Sequence, residues 1–130
     1  MLRFSSLMVA AASLAFAFLA VPGTGQAGGL PEGVSIEVIA EYPSMTPGVE
    51  KILFRKIVMK PGVSWTLTVP AQSVCQGTKG ELEVVDHTSG ETFNFKAGDR
   101  WYTVPGHEVT LTSTGTVDHE HLFYTMVPAK

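Results

Sequence analysis

The sequence reads as an all-β domain, a small jelly-roll or closed barrel of short strands, and three observations carry that reading. Apolar and polar residues alternate through several short runs rich in β-branched and aromatic side chains. Turn chemistry separates the runs: "KPG" at 60–62, "TSG" at 88–90, "AGD" at 97–99, "VPG" at 104–106 and "STG" at 113–115. No stretch keeps a period of about 3.6 long enough to make a helix.

Taken in order, the expected strands are "VSIEVIA" (34–40), "EKILFRKIVM" (50–59), "VSWTLTV" (63–69), "GELEVVD" (80–86), "ETFNF" (91–95), "RWYTV" (100–104), "EVTLTST" (108–114) and "VDHEHLFYTMV" (117–127). Eight strands around one small core favour closure, because closure removes the exposed edges that would otherwise pair with other chains. Such barrels often enclose one small ligand. No internal repeat, linker or low-complexity segment interrupts the pattern.

The first 27 residues have a different character. Arg3 precedes an apolar run from Leu7 to Val21, Pro22 and Gly23 close the run, and "GQA" follows. This is the pattern of a secretory signal peptide cleaved after Ala27, and the run is short of the roughly 20 residues of a spanning helix. An uncleaved anchor is the alternative. Cleavage makes the protein secreted or periplasmic, with residues 28–33 a flexible lead-in and 34–130 the domain. The mature chain of 103 residues suits one domain, and loss of Arg3 leaves 8 basic against 12 acidic residues, a net charge of −4. That balance, with no basic stripe, gives no footprint for nucleic acid or for a membrane surface. Cys75 is the sole cysteine, so no internal disulfide forms and the fold rests on its apolar core. A buried Cys75 is expected, since only Lys79 lies near enough in sequence to activate a thiol.

Three segments together resemble the cupin superfamily: "MKPGVSW", "GELEVVDHTSGETFNFKAGDRW" and "VPG", in an order and spacing covering nearly all of residues 50–127. The resemblance implies a barrel with alternate strand residues facing inward, and in metal-binding members two His and a Glu from a first motif and a third His from a second. Setting the second motif on Gly98 and Gly106 puts Val104 at its proline, Val109 at its histidine and Ser113 at its asparagine. Counting back from Gly80 puts Ser73 at the glutamate and Leu67 and Val69, or Thr66 and Thr68, at the two histidines. Between Lys51 and Gly80 there is no His, Asp or Glu, so no small shift restores the site. A divalent transition metal needs about three or four imidazole, thiolate or carboxylate ligands, so no metal is expected at the usual positions. Leu67, Val69, Ser73, Cys75, Val109, Leu111 and Ser113 are then candidates to line a mostly apolar interior, either a ligand pocket or a filled core.

All four histidines follow Gly80. His87 sits in a hairpin turn, where a solvated ring is expected. His107 follows the "VPG" turn at the mouth of the barrel, two residues from Val109, either on its side or in a surface loop. His119 and His121 share one face of the last strand, with Asp118 and Glu120 on the other. Together with His107 they define an alternative, a displaced site for a divalent transition metal in an enzyme acting on a small organic acid. Arg55 shares its face with Leu53, Ile57 and Met59; an inward arginine needs a partner such as an acidic ligand, although a register shift would exchange it with Lys56. Trp65, Trp101 and Tyr102 are candidates for an aromatic wall or for plain packing. A blue-copper site, a nucleophile elbow and a glycine-rich phosphate loop are all absent from the sequence.

The leading expectation is therefore an exported, non-catalytic cupin-like barrel without metal or other cofactor. Its partner is a small-molecule ligand held by Arg55, Trp65, Leu67, Val69, Ser73, Trp101, His107 and Val109. The displaced-metal enzyme is one rival. A homodimer or interaction module joined through "VSIEVIA" is the other.

Overall fold

A computed structural model describes residues 29–130; the expected leader, residues 1–27, lies outside them. Nine strands follow in order: β1 (Val34–Pro43), β2 (Val49–Met59), β3 (Ser64–Thr68), β4 (Ser73–Lys79), β5 (Glu81–Asp86), β6 (Glu91–Lys96), β7 (Arg100–Tyr102), β8 (Glu108–Ser113) and β9 (His119–Pro128). They form a five-stranded sheet, β1-β2-β9-β4-β7, facing a four-stranded sheet, β3-β8-β5-β6. Every pairing is antiparallel.

The core is built from alternate residues. On β3 Trp65 is buried while Thr66 and Thr68 are exposed, Val69 just past the strand is buried, and on β5 Leu82, Val84 and Asp86 are buried. Ile57 and Met59 at the end of β2 meet Leu82, Val84, Trp65 and Val109 from the facing sheet in one apolar cluster. One end of the barrel is sealed, with Met59, Leu82, Ser113 and His119 at 1 % exposure or less. Gly33, in the lead-in, is tied there by Lys60 N–H donating to its carbonyl.

The sequence predicts eight strands, and the ninth, β4, corrects that count. Its inward positions, Ser73, Cys75 and Gly77, are small or polar, whereas Val74 faces out and is 47 % exposed. The usual alternation is thus inverted and the period-2 signal vanishes. Smallness is required at Gly77, because the turn carrying the chain from β6 in one sheet to β7 in the other folds directly against it. Gly77 N–H donates to the Asp99 carbonyl, Gly98 N–H donates to the Gly77 carbonyl, and a Cβ at Gly77 would lie 2.7 Å from the Lys96 carbonyl oxygen. Gly77→Ala is expected to destabilise the domain by about 1–3 kcal/mol, because backbone rather than a flexible side chain must move. A urea unfolding curve gives that figure directly.

Candidate functional site

The inner face of the five-stranded sheet is a lattice whose rows follow from register, since residues directly opposite one another share a face. Leu53, Thr125 and Ser73 form one row; Arg55, Phe123, Cys75 and Trp101 form the next; Ile57, His121 and Gly77 form the third. Sheet twist and closure set this face against Leu67, Val109, Leu111 and Phe95 of the other sheet.

Arg55 is the group this lattice treats most unusually. Its guanidinium lies over the Phe123 ring, 4.6 Å from the centroid, and Nη2 donates to Thr125 Oγ1 at 2.9 Å. Thr125 Oγ1 is in turn 2.7 Å from Ser73 Oγ, and both residues are buried. Arg55 Nε is buried without a hydrogen-bond partner, and among the described residues no carboxylate pairs with the side chain. Burial lowers its pKa to about 10, which leaves it charged at neutral pH. The cation–π contact and one hydroxyl replace only part of the hydration that burial removed.

Around it stands an aromatic group. Trp101 stacks on Phe95 with centroids 4.1 Å apart, and His121 meets the edges of Trp101 and Phe123 at 5.1 and 5.6 Å. Arg55, Leu67, Phe95, Trp101, Leu111 and Phe123 all point inward, yet each is half-buried rather than sealed.

His119 Nε2 and His121 Nδ1 share a 2.7 Å hydrogen bond with both rings buried. Desolvation lowers the His119 pKa to about 4, partly offset by the nearby Lys79 backbone and the Glu120 charge, though no hydrogen bond of regular geometry closes on His119 Nδ1. Desolvation, reinforced by His119, lowers that of His121 to about 3. Both imidazoles are neutral at pH 7. Cys75 is buried, and burial pushes its thiol up to about 12, so it stays protonated.

The remaining sequence-derived candidates fall in three places. Leu67 and Val109 are direct cross-strand partners, and with Val69 and Trp65 they belong to the apolar core cluster. Ser73 is engaged with Thr125. The positions that the cupin resemblance aligns with metal ligands thus present two aliphatic side chains packed on each other, a third aliphatic one and a committed hydroxyl, a set that does not fit a divalent transition metal.

His107 is not brought to His119 and His121, which corrects the three-histidine grouping. Its Nδ1 bonds Asp86 Oδ2 at 2.7 Å at the far end of β5 from Gly80, where His119 packs; the length of β5 separates them, about 20 Å. Among the described residues no group of three His, Cys, Asp or Glu is placed to hold a metal ion. The His107 bond holds the Asp86 carboxyl below its ordinary range, and Asp86 Oδ1 also accepts from Thr88 and Ser89 N–H. His87 lies on the outer face with Nε2 2.8 Å from Thr110 Oγ1. Tyr102 points outward at 66 % exposure, so Trp101 alone of that pair belongs to the interior wall. Phe123, Thr125 and Phe95 are the interior residues that sequence reasoning missed. The phase set by His119 and His121 extends along the same strand to Phe123 and Thr125 and was the available signal.

The chain matches no protein-family model and no curated protein sequence. Solved structures resemble it closely enough to define its fold. The Cupin_2 domain of an XRE-family transcriptional regulator from Enterobacter cloacae superposes with a TM-score of 0.59 at 14% identity, covering 75% of this chain and 100% of that one. A predicted oxalate decarboxylase from Thermotoga maritima gives 0.56 at 23% identity, over 72% and 80% of the two chains. A double-stranded β-helix protein from Klebsiella pneumoniae gives 0.58 at 16% identity, over 77% and 82%. The fold is the cupin fold, the double-stranded β-helix.

The depressed histidines make stability pH-dependent. Their contribution is complete above the unfolded pKa of about 6.5 and is lost as pH falls toward their folded values, because the unfolded chain binds the protons first. Asp86, held low, adds stability that is complete above the ordinary carboxylate range, so it changes the slope only below that range. Between pH 6.5 and 4 the unfolding free energy should therefore fall with pH at a slope approaching two protons per molecule. Urea titrations across that range would measure it, and in His121→Leu the slope should drop to about one proton.

Proposed function

We propose that this protein is an exported, metal-free cupin-fold binding protein that holds a small acidic, partly apolar ligand in its barrel without transforming it. Arg55 carries the reading. A cation turned into an apolar interior, with a buried unbonded Nε and no carboxylate partner, is a preformed seat for an anion. The half-buried Trp101, Phe95, Phe123, Leu67 and Leu111 suit a ligand's apolar portion. Ser73 and Thr125 hold the guanidinium from the side, Trp65 lies in the opposing sheet, and Val69 and Val109 stand with His107, locked to Asp86, at the mouth.

The absence of turnover is inferred from the same side chains. The Cys75 thiol is protonated and the two interior imidazoles are neutral and bonded to each other, so among the described residues no paired nucleophile and base face the interior. The family's metal positions offer no donor set, and elemental analysis of untagged protein should find only substoichiometric transition metal. The binding test uses benzoate as probe. It is expected to raise the melting temperature of the wild type, with affinity at least about tenfold weaker in Arg55→Met, because a charge-assisted hydrogen bond is lost. Equal binding by Arg55→Met would overturn the reading.

A second reading, a homodimer, is favoured by the outer face of the five-stranded sheet. Tyr42, Val74, Tyr102 and Tyr124 are exposed there, Phe54 stacks on Tyr124 at 4.3 Å, and an open depression of about 210 Å³ runs between Val74, Arg100 and Tyr124. β1 is also an edge strand with one free side. A second copy packing its own β1 and apolar face here would bury both. Light scattering should then report a dimer for the wild type and a monomer for Tyr124→Lys.

A further inference from the structure

We propose that the acid held at Arg55 is a singly charged carboxylate with a flat, unsaturated body, and that dicarboxylates and other dianions are rejected. The proposal rests on the binding role of Arg55 and adds the charge and shape of what it binds. Its basis is a count of the charges that face the interior. Lys51, which by alternation shares the face of Leu53 and Arg55 at the end of β2, is neutralised by Glu41, which lies opposite Leu53; Lys56 pairs with Glu37 and Glu120, Lys60 with Asp118 and Lys96 with Asp99. Lys79, Arg100 and Lys130 are exposed. Arg55 is therefore the one cation of the inner face without a carboxylate partner among the described residues. The other ionisable groups on the inner faces are the mutually paired Lys51 and Glu41 at the strand ends, Cys75, His119 and His121, all three neutral near pH 7, and Asp86, whose carboxylate lies at the His107 end. One negative charge can be matched inside. A second would meet apolar side chains, hydroxyls already bonded to one another, neutral imidazoles, and charges already paired, and burying it unpaired is strongly unfavourable.

The shape argument comes from the aromatic side chains. The guanidinium occupies one face of Phe123, while Trp101, backed by Phe95 in a near-parallel stack with an interplanar angle of 8°, stays half-buried on the same inner face. That leaves a flat apolar surface in the same row as the cation, since Arg55, Phe123, Cys75 and Trp101 are successive cross-strand partners. A planar ligand whose carboxylate meets Arg55 can lie along this row against the indole, and aromatic rings favour offset stacking over contact with a puckered ring.

The test is calorimetric titration of the wild type with four probes: benzoate, isophthalate, the monomethyl ester of isophthalate and cyclohexanecarboxylate. The ester has the bulk of isophthalate and the charge of benzoate, so it separates charge from size. Benzoate and the ester are expected to bind at least tenfold more tightly than isophthalate, and benzoate more tightly than cyclohexanecarboxylate. Arg55→Met and Thr125→Val, with folding verified by circular dichroism, are expected to weaken the two monoanions. Isophthalate binding as tightly as its monoester, with Arg55 still required, would overturn the charge assignment and leave the binding role intact. Cyclohexanecarboxylate binding as tightly as benzoate would overturn the flat-body assignment alone. Binding of all four that persists in Arg55→Met, or no binding by any of them, would overturn the role of Arg55 itself.

Discussion

The pairing of β2, β9, β4 and β7 puts a guanidinium, a phenyl ring, a thiol and an indole side by side on the inner face of one sheet, and the chemistry of the barrel follows from that alignment. Moving β9 by one residue against β2 would turn Phe123 and Thr125 outward together and leave Arg55 facing Leu122 or Tyr124 positions. The apolar cluster around Ile57, Met59 and Leu82 forbids such a slip, because the same shift would expose one side of the core. Packing at the sealed end therefore fixes the polar arrangement halfway up the barrel.

The cupin fold tolerates this exchange of chemistry because its scaffold and its interior are specified by different residues. Turn glycines and the outward alternation on β3, β5 and β8 define the two sheets; the inward positions only need to fill or line the space between them. Here Leu67 and Val109, opposite one another, contribute apolar packing. Polar character on the inner faces gathers in the other sheet, at Arg55, Ser73, Thr125 and the bonded pair His119 and His121.

Much of the architecture was legible because alternation and turns are local signals. The strands around Val34–Ala40, Trp65–Val69 and Leu82–Asp86 announce themselves through period 2. β4 does not, because its inward residues must be small beside the β6–β7 turn and its outward ones include an exposed valine. The face of Arg55 follows from Leu53, Ile57 and Met59. Its contacts with Phe123 and Thr125 depend on a pairing 68 to 70 residues away in sequence, which no local pattern encodes. The same limit explains His107. A spacing that puts His119 and His121 together says nothing of which end of the barrel a third histidine occupies, and the Asp86 contact could be learned only from the β5–β8 register.

Cys75, alone and protonated behind Phe123 and Trp101, has a bearing on how the chain matures. With no second cysteine in the sequence, no disulfide can form within the chain and none has to be made or reshuffled as it folds. The buried, protonated thiol is correspondingly a poor partner for exchange with other disulfides.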